Sequence, residues 1–160
     1  MTTYSDLRRY QKMTGDDIVH IRTTVMNMVT VPFYPMDTIR LEHLREMLES
    51  VGMAGRICVN DKDENGDTLL HHVADAIENI GGTDGRVDNL AQVLLDAGAE
   101  VDAKDKSGKT PLNRAVLRAV KGRGGLSTFA NVLIKAGASK EATSSCGATA
   151  LHYAAVLPID

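Results

Sequence analysis

His71 and His72 stand side by side, and paired imidazoles invite a metal-site reading. On a helix, however, adjacent side chains diverge by about 100°, so the two cannot reach one ion from one face. His20 and His43 lack a Cys or second His three or four residues on, so zinc-ligand spacing is absent there too. Gly122-Arg123-Gly124-Gly125-Leu126-Ser127 has the glycine content of a phosphate loop. Yet Ser127 stands where a dinucleotide fingerprint needs its third glycine, and no Lys-Ser or Lys-Thr follows. No nucleophile elbow frames a serine or cysteine, and nothing around Cys58 or Cys146 suggests a bridge or a metal site. These residues predict no enzyme, no metal and no cofactor.

The elements that would hold any site come from a repeat. Gly66-Asp67-Thr68-Leu69-Leu70-His71, Gly108-Lys109-Thr110-Pro111-Leu112-Asn113 and Gly147-Ala148-Thr149-Ala150-Leu151-His152 are one phrase written three times. Leu94-Leu95-Asp96-Ala97-Gly98-Ala99 and Leu133-Ile134-Lys135-Ala136-Gly137-Ala138 are a second phrase written twice. Each threonine sits where a helix starts, its hydroxyl placed to accept an orphaned main-chain N–H. Pro111 suits the first helical position. Leu70, Leu112 and Leu151 are expected to point inward, and Ala74, Ala115 and Ala154 to let helices approach closely. Gly98 and Gly137 are expected to close the second helix of each repeat in a left-handed turn.

This pattern resembles the ankyrin repeat, whose signature is T-P-L-H-x-A with a period of about 33 residues. The resemblance is strong from about residue 60 to 156. It implies an all-α fold, an ankyrin-repeat solenoid of helix-turn-helix pairs with projecting β-hairpin loops. It also implies that His71 and His152, at the histidine of the signature, serve structurally to tie loops together. The repeats are assigned to 61–103, 104–142 and an incomplete 143–160, after a degenerate N-terminal capping repeat over 1–60. Within 1–60, Ile18, Ile21, Val25 and Met28 have helical spacing, ended by Pro32 and Pro35. Asp37 could cap a second helix whose stripe is Leu41, Leu44, Met47 and Leu48, ending at Gly52. The seven methionines, all within the first 53 residues, read as irregular core filling, with an adaptable hydrophobic docking surface as the alternative.

Successive signature threonines lie 42 and 39 residues apart, so each full repeat carries an insertion between its helices. The insertions hold Gly81, Gly82 and Gly85, and Gly122, Gly124 and Gly125. Lengthening a surface loop costs roughly 0.6 kcal/mol per doubling, so they are read as tolerated, mobile surface, with a binding role as the alternative.

Size and charge bound the rest. A chain of 160 residues that is 43% hydrophobic can bury one core. A net charge of -3 gives no field to hold nucleic acid or an anionic bilayer. Met1 to Tyr10 is polar, and no run of 18 apolar residues occurs, so neither a secretory signal nor a membrane span is expected. Unpaired cysteines fit an intracellular, cytoplasmic chain, or one acting in a host cell if it is a secreted effector.

The expected function is a protein–protein interaction module, an adaptor, inhibitor or targeting domain that binds another protein through its hairpin tips and concave face. The alternative is the N-terminal targeting region of a larger enzyme or effector whose catalytic part lies beyond residue 160. The variable positions of the middle repeat read Lys104, Lys106, Ser107, Lys109, Leu117 and Arg118, a basic patch beside the acidic Glu64 and Asp67 of the preceding tip. These eight are the candidate partner-binding residues. Leu151, Ala155, Val156 and Leu157 make the last helix apolar, so continuation of the array or end-to-end self-association is expected there.

Overall fold

The computed structural model describes residues 15–30, 38–51, 53–80, 85–121 and 128–155. Among them are eight helices: α1 (Gly15–Thr30), α2 (Thr38–Val51), α3 (Met53–Asn60), α4 (Leu69–Ile80), α5 (Arg86–Asp96), α6 (Pro111–Lys121), α7 (Thr128–Lys135) and α8 (Ala150–Ala155). No strand is formed among the described residues, and none of their helices is long and apolar enough to cross a membrane.

The helices stack in two rows. One row runs α1, α4, α6, α8, each packed on the next, and the other runs α2, α5, α7. Between the rows lies one continuous core in which Leu70, Val73, Leu90, Leu94, Phe129 and Leu133 are sealed from solvent. Ile21, Val25, Leu41, Leu44 and Leu48 extend it into the first 60 residues, as their helical spacing predicts. The side chains of Ile18 and Met28, and the expected stops and cap at Pro32, Pro35, Asp37 and Gly52, lie outside the described residues.

The chemistry of the repeated phrases explains the ends of the helices. α6 begins at Pro111, directly after Thr110, whose hydroxyl accepts the Asn113 N–H at 3.3 Å. Thr68 departs from that expectation, since its hydroxyl pairs with His71 Nδ1 at 2.9 Å instead. At the other end, Gly98 has φ 91° and follows α5. Its N–H donates to Leu95 O and that of Ala99 to Leu94 O, the reciprocal closure that a left-handed residue permits. Ala138 and Gly137 repeat this closure on Leu133 and Ile134 after α7.

Two expectations about connections change. The expected β-hairpins take the form of tight turns, or tips, at residues 63–67, 105–109 and 144–148. Each closes on two main-chain bonds, the first residue's N–H onto the carbonyl four residues on and the glycine N–H onto the first residue's carbonyl, too little pairing to build a strand. Secondly, the sequence pattern places no helix between Gly52 and the first tip, yet Met53–Asn60 forms α3, whereas Val101-Asp102, which stand before the second tip as Val59-Asn60 stand before the first, form a turn. Asn60 explains how the chain tolerates this: its side chain donates to Gly98 O and accepts from Glu100 N–H, tying α3 to the next repeat's turn.

The insertions expected as mobile surface, at 81–84 with Gly81 and Gly82 and at 122–127 with Gly122, Gly124 and Gly125, lie outside the described residues. So do Val156 and Leu157.

Candidate functional site

The three tips share one construction. The first residue of each, Asp63, Asp105 and Ser144, donates its N–H to the carbonyl four residues on, at 2.9 to 3.0 Å. Asp63 Oδ1 also accepts the N–H groups of Asn65 and Asp67, and Asp105 Oδ1 those of Ser107 and Lys109. Burial alone would raise the Asp63 and Asp105 carboxyls. These donors, joined by His72 beside Asp63 and Arg114 beside Asp105, outweigh it and hold both below their ordinary value.

A second link recurs from the helix that follows. The residue four after the signature threonine reaches back to its own tip: His72 to Asp63 at 2.9 Å, Arg114 to Asp105, and the Tyr153 hydroxyl to Ser144 Oγ at 2.9 Å. Three different chemistries thus fill one geometric role.

Neighbouring tips are laced together. The Lys106 N–H donates to Asn65 O, and the Ser145 N–H to Ser107 O. Lys62 Nζ donates to Lys104 O, and Lys104 Nζ donates to Thr143 O, both at 2.9 Å. His71 Nε2 lies 3.1 Å from Lys109 O, while Asn113 Nδ2 donates to Ala142 O and Ala148 O. At His71 the structure therefore places the loop-tying contact that the sequence pattern implied. The close approach also dictates glycine: a Cβ on Gly108, at φ 70°, would stand 2.7 Å from Ser145 N.

The largest electrostatic feature is one that sequence reading missed. Arg114, on α6, grips both carboxylate oxygens of Asp67 at 2.8 Å, Asp75 Oδ2 on α4 at 2.9 Å, and Asp105. Arg118 Nε adds a 2.9 Å bond to Asp75 Oδ1. Burial opposes the Arg114 charge, but the carboxylates overcome that and raise its proton affinity above the ordinary value. No sequence-local signal marks this cluster, because Arg114 and Asp67 are 47 residues apart and meet only once the repeats are in register.

These contacts sort the eight candidate residues. Glu64, Lys104, Lys106 and Ser107 are exposed; Lys109, Leu117 and Arg118 are half-buried. Asp67 is corrected: it is 4% exposed and paired with Arg114, so it belongs to the scaffold rather than to the outer face of the tip. Arg118 contributes less free positive charge than the sequence suggests, since it is paired with Asp75, and the Lys104 ammonium keeps its charge but is directed onto Thr143 O of the third tip's lead-in. Lys104 and Lys106 are exposed and Lys109 is half-buried; with the Lys104 ammonium turned toward Thr143 O, Lys106 and Lys109 are the cations that the middle tip itself carries.

Two groups of metal-ligand side chains come together, Asp63 with Asp67 and His72, and Asp67 with His71 and Asp105. Their donor atoms already serve Arg114, Thr68, Lys109 and the tip amides. Buried Cys58 contrasts with exposed Cys146. Cys146 Sγ lies 3.2 Å from Ser144 Oγ, and bonds from Ser144, Ala148 and Tyr153 bring its thiol down to about 7. A 220 Å³ cavity between α2, α3 and the end of α5, lined partly by Arg45, Glu49, Arg56 and Asp96, shares no residue with the tips. No family model matches the chain, and neither does any curated protein.

Proposed function

We propose that the chain is an ankyrin-type repeat array whose function is to bind another protein, as an adaptor, inhibitor or targeting domain. The supporting observation is the lacing of three tips into one register, with Lys106 N–H on Asn65 O and Ser145 N–H on Ser107 O. A surface fixed in this way presents its side chains without the entropy cost of ordering loops on binding. Glu64, Lys106, Ser107 and Lys109 are the contact residues. The two lysines favour a partner segment bearing carboxylates, with charge setting specificity and encounter rate more than total affinity.

The reading is tested by affinity capture with the chain and with its Lys106→Glu/Lys109→Glu variant, followed by titration against the purified captured protein. A partner that binds the chain and loses affinity for the variant supports it. Equal binding to both removes the middle tip from the interface.

A further inference from the structure

We propose that His71 is a proton-sensitive latch between the first and second tips, weakened as acid protonates the ring, so that the segment carrying Lys106 and Lys109 loosens. Only the consequence for those lysines rests on the function proposed above; the latch itself does not.

Both ring nitrogens are committed. The Thr68 N–H donates to Nδ1 at 3.2 Å, and the Thr68 hydroxyl lies 2.9 Å from the same atom. Nδ1 is therefore the acceptor, and Nε2 carries the hydrogen that meets Lys109 O. The ring is fully buried. A second proton must go to Nδ1, where it would face the Thr68 N–H, donor against donor, with only the Thr68 hydroxyl oxygen able to turn and accept it. The Nε2–H bond to Lys109 O persists, while the added charge stands buried.

The charges around the ring do not rescue the imidazolium. Asp67 of the first tip and Asp105 of the second approach it, but both are engaged by Arg114 of α6, itself a cation acting on the ring. On the same helix as His71, His72 pairs with Asp63, and Asp75 is held by Arg114 and Arg118. From α1, Arg22 faces Asp61 and Asp63; from α5, Asp96 faces Arg45 of α2. Burial, then Arg114, push the His71 titration below 6.5, against the opposing Lys109 carbonyl and the two aspartates.

The sign follows from linkage. A histidine that protonates less readily folded than unfolded contributes stability that is complete above 6.5 and is lost as pH falls from there to the folded value. The next junction is built without this sensitivity, because Asn113 makes the corresponding bonds with an amide that does not titrate.

The test compares the chain with His71→Asn, which copies the Asn113 solution, by thermal melting between pH 7.5 and 5.5. The latch predicts that the chain loses a few degrees more than the variant over this range. Equal losses overturn it. Ring-nitrogen NMR of the unaltered chain provides a second readout, should the variant not fold. The latch predicts the Nε2–H tautomer and a titration below 6.5; a titration at or above 6.5 overturns it.

Discussion

Arg114 and Asp67 meet as a fork on a fork, Nη1 on Oδ2 and Nη2 on Oδ1, both at 2.8 Å, across 47 residues of chain. The same guanidinium holds Asp75 and Asp105, so one side chain joins two tips and two helices. Asp67 and Asp105 are 4% and 6% exposed, and without this cation they would be buried carboxylates with diminished compensation.

Arg114→Ala is therefore expected to cost about 3 to 5 kcal/mol, measured by chemical denaturation. The pH dependence carries the same signature. Asp105 is held below 3.8, so its contribution is present above that pH and lost as pH falls through its folded value. The variant should lose much of this acid limb. A cost below about 1 kcal/mol with an unchanged acid limb would leave the cluster without a structural role.

Leu112 and Leu151 occupy one position of the repeated phrase but are 2% and 76% exposed. Leu112→Ala is expected to cost about 2 to 5 kcal/mol, and Leu151→Ala within about 0.5 kcal/mol of nothing. Equal costs would contradict the stacking order.

That pair also shows what is legible in a sequence. The threonines at the helix starts, the stacked alanines and the closing glycines recur with the period, although the Thr68 hydroxyl turns to His71 rather than capping, and Ile21, Val25 and Leu44 follow from helical spacing alone. Leu151 has the right letter, but inward pointing needs a neighbouring helix to point into. α3 was missed because Val59-Asn60-Asp61 imitates Val101-Asp102-Ala103 while the residues before it are helical. The Arg114 cluster and the Lys104 bond to Thr143 were hidden for another reason: both are contacts between repeats, and no short stretch of chain encodes them.

Gly108 and Gly147 provide a matched comparison, with φ 70° and 78°. A Cβ at Gly108 meets Ser145 N at 2.7 Å, whereas one at Gly147 meets nothing within 4 Å. Alanine at either position carries the left-handed penalty of roughly 1 to 2 kcal/mol. Only Gly108→Ala should add the cost of parting two tips, visible as a larger drop in melting temperature. Indistinguishable drops would mean that the tips are not in contact.

Cys146 should be alkylated by iodoacetamide with a pH midpoint near 7, while Cys58 stays protected in the folded chain. Ser144→Ala should move that midpoint upward by removing a bond to the thiolate, and Tyr153→Phe by removing the hydroxyl that donates to Ser144 Oγ and lies 3.8 Å from the sulfur. An unaltered midpoint in both variants would contradict the arrangement of these three side chains.

The central claim is that the laced tips are a protein-binding surface. It is tested most directly by parallel affinity capture from cell lysate with the chain and its Lys106→Glu/Lys109→Glu variant, once their melting temperatures are shown to match. The account predicts a protein retained by the chain, depleted at least several-fold on the variant, and released by added salt as charge screening requires. The same proteins captured in the same amounts by both, at every salt concentration, would contradict it.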